Sequence, residues 1–365
     1  MSDDRKPPLT RIKGRGAATN REGRFEATHR EREDDGWFPE ADLTAIARPP
    51  TTVTAERARS IISRNESPDI PFTQSINMYR GCEHGCFYCY ARPTHAYLNL
   101  SAGLDFETKL TAKTNAVEQL RSELARPDYV CSTINLGANT DPYQPIEREH
   151  RLTRGILEVL AECAHPVTII TKNALVERDL DLLATMASKQ LVQVFLSVTS
   201  MDNALSAKME PRASAPHRRI AAIRRLHEAG VPVGVFVAPI IPMINDRDLE
   251  SVLEAARVAG AGTASYTLVR LPHELKDLFR EWLSVHFPER ATHVMSLVRQ
   301  MRGGKDYVAD FRTRMRGEGV FAALIRRRFK VAVQRLGYLG HNEDVALDTT
   351  RFRAPRAPSA QGELF

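Results

Sequence analysis

The chain has 365 residues, of which 42% are hydrophobic and 26% are charged, and its formal net charge is +6. These proportions are typical of globular proteins and exclude a wholly disordered chain, while 20 Gly and 21 Pro are too few for a collagen-like one. The length predicts two domains, or one large domain with extensions.

The first predicted unit, residues 1–50, is a disordered polar arm. It carries 10 basic and 10 acidic residues and has almost no periodic apolar pattern. Its candidate docking element is Trp37-Phe38-Pro39. No apolar run follows the N-terminus, so we expect no secretory signal.

The apolar segments predict no membrane partner. The longest, Val231–Ile244, has 14 residues and three prolines. A membrane-spanning helix needs about 20 apolar residues. We therefore expect a soluble, cytoplasmic protein.

Between residues 51 and 275, β-rich runs alternate with amphipathic helical patterns. The predicted strands are Ser75–Tyr79, Ser132–Leu136, Val167–Thr171, Leu191–Thr199, Val233–Ile241 and Ala264–Leu271. The predicted helices are Ala116–Ala125, Arg151–Cys163, Glu177–Ala187, Ala215–Ala229 and Asp246–Val258. This alternation indicates an α/β fold with a parallel sheet, either a partial (β/α) barrel or a doubly wound sheet.

Polar residues follow these strands where either fold would bind a ligand, at the carboxyl ends. The segments concerned are Tyr79–Cys82, Gly137–Asp141, Thr171–Asn173, Ser197–Ser200 and Ala238–Pro242. The sequence therefore predicts a functional site at this edge of the sheet.

Residues 276–345 form a predicted basic helical extension, and residues 346–365 a flexible tail. Between Arg299 and Arg335 there are 11 basic and three acidic residues, a local net charge of +8. Arginines such as Arg326–Arg328 could contact the phosphates of a nucleic acid, or they could form a solvated helix face.

Three of the five cysteines, Cys82, Cys86 and Cys89, lie within eight positions at C-x3-C-x2-C spacing. Thiolates are preferred ligands of iron–sulfur clusters, and three of them would leave one iron of a cubane cluster open. Gly81 and Gly85 would let the backbone turn tightly around the cluster.

A structural zinc site is the alternative for these cysteines. Such a site takes four ligands, often as two closely spaced pairs. His84 or His95 could supply the fourth, but no second Cys/His pair follows downstream. The spacing favours iron–sulfur over zinc and over unliganded cysteines, and it leaves all three open.

The cysteine segment resembles the signature of the radical S-adenosylmethionine superfamily, with an aromatic residue, Tyr88, before the third cysteine. Over about residues 70–275 the pattern is similar to the branch around spore photoproduct lyase. The segments that carry this likeness are Cys86–Arg92, Thr140–Pro145, Thr171-Lys172, Leu196-Ser197 and Ala238–Pro242. The resemblance implies a partial (β/α)6 barrel of the TIM type over residues 51–275.

The resemblance also implies a lyase-like enzyme with a [4Fe-4S] cluster on Cys82, Cys86 and Cys89. The open iron would bind S-adenosylmethionine, and an electron from a flavodoxin- or ferredoxin-like donor would yield a 5′-deoxyadenosyl radical that abstracts hydrogen from a substrate. The substrate is unidentified, with nucleic acid as the candidate, and no catalytic side chain is assigned.

By the same resemblance, five residues are candidates for binding S-adenosylmethionine: Tyr88, Tyr90, Thr140, Lys172 and Ser197. Each also has a simpler interpretation, since a lysine at a strand end is usually solvated and tyrosines often pack beneath a loop. Glu210 and Arg212 are ambiguous between ligand binding and helix entry.

One departure from the branch concerns its reaction. Photoproduct lyases use a cysteine as hydrogen donor in the segment that matches Gly137–Asp141, where this chain has Ala138. This argues against that reaction in its usual form, and Cys131 and Cys163 are predicted to be structural. The rival hypothesis is a non-catalytic zinc or iron–sulfur module that binds nucleic acid.

Overall fold

The computed structural model describes residues 9, 11–26, 49–339 and 346–355. Its strands are β1 (Thr52–Glu56), β2 (Ile62–Arg64), β3 (Gln74–Ile76), β4 (Tyr79–Arg80), β5 (Lys109–Lys113), β6 (Ile134–Leu136), β7 (Val167–Thr171), β8 (Val192–Ser197), β9 (Val233–Ile240) and β10 (Thr263–Leu268). Its helices are α1 (Asp105–Thr108), α2 (Ala116–Leu124), α3 (Glu147–His150), α4 (Leu152–Glu162), α5 (Leu180–Ala187), α6 (Asn203–Met209), α7 (Pro216–Glu228), α8 (Leu249–Val258), α9 (Leu275–His286), α10 (Ala291–Gln300) and α11 (Gly319–Leu336).

The main sheet has seven strands in the order β10-β9-β8-β7-β6-β3-β2. Strands β3 and β6 to β10 pair in parallel, and β2 joins the edge antiparallel to β3. Each of the six predicted strands thus overlaps one strand of this parallel set. Their apolar side chains are buried because helices cover the sheet, as they do for Ile134 and Leu136 of β6.

The predicted helices between the strands are also present, with ends that differ by a few residues. Helix α4 illustrates why they form. Leu152, Ile156, Leu157 and Leu160 recur at helical spacing and are buried in the main hydrophobic core.

The first predicted strand, Ser75–Tyr79, needs correction. Strand β3 ends at Ile76, and Tyr79–Arg80 instead pairs with β5 in a second, three-stranded sheet of order β1-β5-β4. The chain leaves the main sheet here, which carries the cysteine segment beyond its carboxyl edge.

The polar arm also needs correction for residues 11–26, which pack on the body. Ile12, Arg15 and Ala17 are buried, and main-chain amides of this segment donate to Glu107. Contacts made by single residues produce no periodic pattern, so a lack of periodicity does not exclude packing of this kind. Trp37-Phe38-Pro39 lies outside the described residues.

The C-terminal part contains the helices α9, α10 and α11, and the tail differs from its prediction over residues 346–355. There Phe352 packs against Tyr129 and His165. In the described part of the chain, no helix is both long and apolar enough to span a membrane.

Candidate functional site

The cysteine loop begins directly after β4 and continues into a short 3₁₀ segment, Arg92–Leu98. The amide of Cys82 donates to the carbonyl of Phe106 at 2.9 Å. Gly81 and Gly85 have φ values of +75° and +67°, which confirms that the turn uses glycine conformations.

The three thiols share one environment. Cys82 and Cys86 are buried and Cys89 is half-buried. Burial raises the pKa of the Cys82 and Cys86 thiols; the next largest causes are the charge of Asp141 for Cys82 and that of Glu210 for Cys86, and the charge of Cys89 adds a smaller rise to each. Thiolates held together in this way need a cationic group to offset their charge, so the donor set fits an iron–sulfur cluster.

Among the described residues, no group of three or more His, Cys, Asp or Glu side chains is placed to hold a single metal ion. A cubane cluster does not require such convergence, because each cysteine binds a different iron.

A carboxylate that is largely shielded from solvent connects the loop to the carboxyl ends of β6 and β7. Asp141 accepts from the Thr171 hydroxyl at 2.7 Å and the Lys172 amide at 2.8 Å, and it lies 3.3 Å from His84. Although burial alone would raise it, the pKa of Asp141 falls to about 2, because these groups and His84 stabilise the carboxylate. His84 also contacts Asn173 at 3.2 Å.

A second buried network lies beneath Tyr88. Its hydroxyl donates to Glu210, which forms an ion pair with Arg219. Burial opposes ionisation of Glu210, but the charges of Arg219 and Lys172 lower its pKa below the ordinary value. Sequence analysis left Glu210 ambiguous and missed Arg219, whose partner lies nine residues away on another element.

The five candidate cofactor residues lie along one edge of the sheet. Lys172 follows β7, with its ammonium 6.0 Å from the centre of the Tyr88 ring. Ser197 ends β8 and is buried. The Thr140 hydroxyl donates to the Tyr79 carbonyl at 3.1 Å, and the Tyr90 hydroxyl donates to the Ala138 carbonyl.

The outer side of the loop is held by a carboxylate that sequence analysis missed. Glu107 accepts from the amides of Gly16 and Ala17 at 2.9 and 2.8 Å and pairs with Arg92 at 2.5 Å. A Cβ atom on Gly16 would lie 1.7 Å from the carbonyl oxygen of Gly85, so glycine is required at this close approach. The sequence gives one indication of this contact, because Arg92 ends the segment Cys86–Arg92 that carries the family resemblance.

Two further polar residues hold the loop. The Gln144 side chain accepts from the Glu83 amide at 2.9 Å and donates to the Gly81 carbonyl at 3.2 Å. Arg212 pairs with the Glu83 carboxylate at 3.0 Å. Arg212 therefore contacts the cysteine loop.

The remaining cysteines lie at the other end of the sheet. Cys131 precedes the amino end of β6, and the buried Cys163 caps the end of α4. Neither is near the carboxyl edge that carries the loop.

Comparison with known proteins gives a family match and relatives. The family model described as the Radical SAM superfamily matches residues 76–256. An uncharacterised protein of Mycobacterium tuberculosis is 38% identical over 233 residues, which cover 63% of this chain and 68% of the relative. One of Methanocaldococcus jannaschii is 30% identical over 233 residues, covering 64% and 83%. Among solved structures, a spore photoproduct lyase mutant matches with a TM-score of 0.51 at 15% identity, over 78% of this chain and 80% of that one, which shows a similar fold.

Proposed function

The chain belongs to the Radical SAM superfamily, and we propose that it is a radical S-adenosylmethionine enzyme with a [4Fe-4S] cluster on Cys82, Cys86 and Cys89. The observation that carries this proposal is a glycine-turned loop beyond the carboxyl edge of a parallel sheet, with three thiols in one largely buried environment. When bound, the cluster and S-adenosylmethionine would supply a 5′-deoxyadenosyl radical for hydrogen abstraction.

The chain's own residues would bind and orient the cofactor. Lys172 has no carboxylate ion pair with a described residue, and its ammonium would bind the cofactor carboxylate. Ser197 would contribute a hydroxyl at the end of β8, and Thr140 retains acceptor capacity on its oxygen. Tyr88 and Tyr90 would form the wall beside Cys89.

The proposed shape of the main domain is an open (β/α)6 barrel. Arg314 lies beside β10, where the Met315 carbonyl accepts from the Leu268 amide at 2.9 Å. Its guanidinium pairs through two bonds of 2.6 Å with Asp69, in the loop between β2 and β3 at the other edge of the sheet. Seven flat strands about 4.8 Å apart would separate these edges by about 29 Å, which exceeds the reach of two side chains and a loop, so the contact supports a curved sheet.

The proposed partners are an external flavodoxin- or ferredoxin-like electron donor and a nucleic-acid substrate. The cationic C-terminal part supports a polyanionic substrate. The absence of a cysteine at Ala138 distinguishes the chain from photoproduct lyases, so the reaction on that substrate is left open.

The test is cofactor cleavage after anaerobic reconstitution with iron and sulfide. The reduced protein would be incubated with S-adenosylmethionine, and 5′-deoxyadenosine would be measured by chromatography. We expect product from the wild type and none from Cys86→Ala. Cys163→Ala is the matched control, since it also removes a buried thiol but one away from the loop.

Two results would contradict the proposal. Product from Cys86→Ala at the wild-type rate would show that the thiol is not needed. Stoichiometric zinc in place of iron, or a full cluster without product, would favour the non-catalytic metal-binding module.

A further inference from the structure

A guanidinium without a carboxylate partner lies at the mouth of the candidate site. Arg270 follows β10, and its guanidinium carbon is 4.5 Å from the centre of the Tyr90 ring. Tyr90 directly follows Cys89 and remains 45% exposed. Arg270 forms no ion pair with any residue in the described ranges, so its charge is available to a ligand beside the cysteine loop.

A second arginine adds positive charge directly behind it. Arg302 is 1% exposed and donates to the carbonyls of Val269 and Thr313, each at 2.8 Å. Its Nε has no hydrogen-bond partner within the described part of the chain. Burial and the charge of Arg270 lower the pKa of Arg302 to about 10, whereas the charges of Tyr307 and Glu318 act in the opposite sense. A buried guanidinium that bonds carbonyls instead of a carboxylate leaves net positive charge at this edge.

A third arginine, Arg314, lies near the end of the same strand, β10, next to Thr313 and Met315, which contact Arg302 and Leu268. Arg314 forms a bidentate ion pair with Asp69, and its guanidinium carbon lies 4.6 Å from the centre of the Phe311 ring. Phe311 is 45% exposed. Of these three arginines, only Arg314 is paired with a carboxylate. The exposed rings of Tyr90 and Phe311 lie beside Arg270 and Arg314, respectively.

We propose that Arg270, with the positive charges of Arg302 and Arg314 beside it, forms an anion subsite, the arginine rim, in which Arg270 binds a backbone phosphate of a single-stranded nucleic-acid substrate while Tyr90 and Phe311 stack its bases. Guanidinium groups bind phosphate oxygens through paired hydrogen bonds, and exposed rings stack bases irrespective of sequence. The inference rests on the proposed function, because the nucleic acid bound here would be the substrate of the proposed enzyme. It differs from the predicted contact through Arg326–Arg328, because it places binding at the mouth of the site.

The test is equilibrium binding of a short fluorescein-labelled single-stranded oligodeoxythymidylate, measured by fluorescence anisotropy over a series of salt concentrations. Arg270→Ala should weaken binding about tenfold and reduce the slope of log K against log salt by about one. Arg270→Lys should keep the slope and lose part of the affinity, because it retains the charge without the planar fork. Phe311→Ala should weaken binding of the oligothymidylate but leave an abasic oligonucleotide of equal length unaffected.

Arg312→Ala is the matched control. Its side chain is 87% exposed and pairs with the neighbouring Asp310, so binding should stay within about twofold of wild type. An Arg270→Ala variant with wild-type affinity and slope, or equal losses in Arg270→Ala and Arg312→Ala, would overturn the arginine rim.

The cofactor assay separates this inference from the proposed function. Wild-type protein that cleaves S-adenosylmethionine but does not bind the oligonucleotide would overturn the inference alone. Binding that depends on Arg270, in a protein that never forms 5′-deoxyadenosine, would support the rim and overturn the proposed function alone.

Discussion

Replacing Glu107 with Gln would test whether one buried carboxylate holds the cysteine loop in place. Glu107 and Arg92 are both fully buried, with 0% side-chain exposure, and pair at 2.5 Å. The same carboxylate accepts from the amides of Gly16 and Ala17. The substitution keeps the size of the side chain but removes its charge, so Arg92 would be left as a buried cation without its partner.

The magnitude follows from this burial. Breaking a buried ion pair by removing one partner costs about 3–5 kcal/mol, because the remaining charge is neither hydrated nor compensated. Glu56→Gln is the matched control. Its pair with Arg80 is 2.8 Å long but has side chains 31% and 45% exposed, so its loss should cost less than about 1 kcal/mol.

The assay is urea unfolding of anaerobically purified protein, with the free energy of unfolding compared at unchanged m-value. Iron retained per chain after gel filtration would be measured in parallel. We expect Glu107→Gln to lose both stability and iron. A stability loss no larger than that of Glu56→Gln would refute the assignment of Glu107 as the support of the loop.

Two further perturbations test the packing around the site and a distant buried histidine. Phe87 is 1% exposed and stacks on Trp282 with ring centres 3.6 Å apart, so Phe87→Ala should lower the free energy of unfolding by about 3–5 kcal/mol in urea titrations; a loss below about 1 kcal/mol would contradict this packing role. Burial lowers the pKa of His165 from 6.5 to about 4, so only the unfolded chain gains this proton between those pH values. The stability contributed by neutral His165 is complete only about one pH unit above the unfolded-state pKa of 6.5, and it falls by about 2 kcal/mol between pH 7 and pH 5. His165→Gln should lose about that much less over the same interval, and an identical pH dependence in both proteins would refute the assignment.

The sequence was sufficient for features that depend on local order. Alternating strand and helix patterns predicted the six parallel strands and the helices between them, because periodicity reports which face of an element is buried. The cysteine spacing and its neighbouring glycines predicted the loop, since a cluster loop is encoded within a few consecutive residues.

Only the tertiary structure decided how distant charges combine. Glu107 meets Gly16 and Arg92, Glu210 meets Tyr88, and Arg314 meets Asp69 across 245 positions of sequence. Each partner is an ordinary polar residue in its own segment, so no periodicity or spacing marks it. Whether a charged residue is buried and compensated depends on which residues surround it in the folded protein. For this reason the sequence of residues 11–26 predicts a solvated arm, whereas in the structure these residues pack against the cysteine loop.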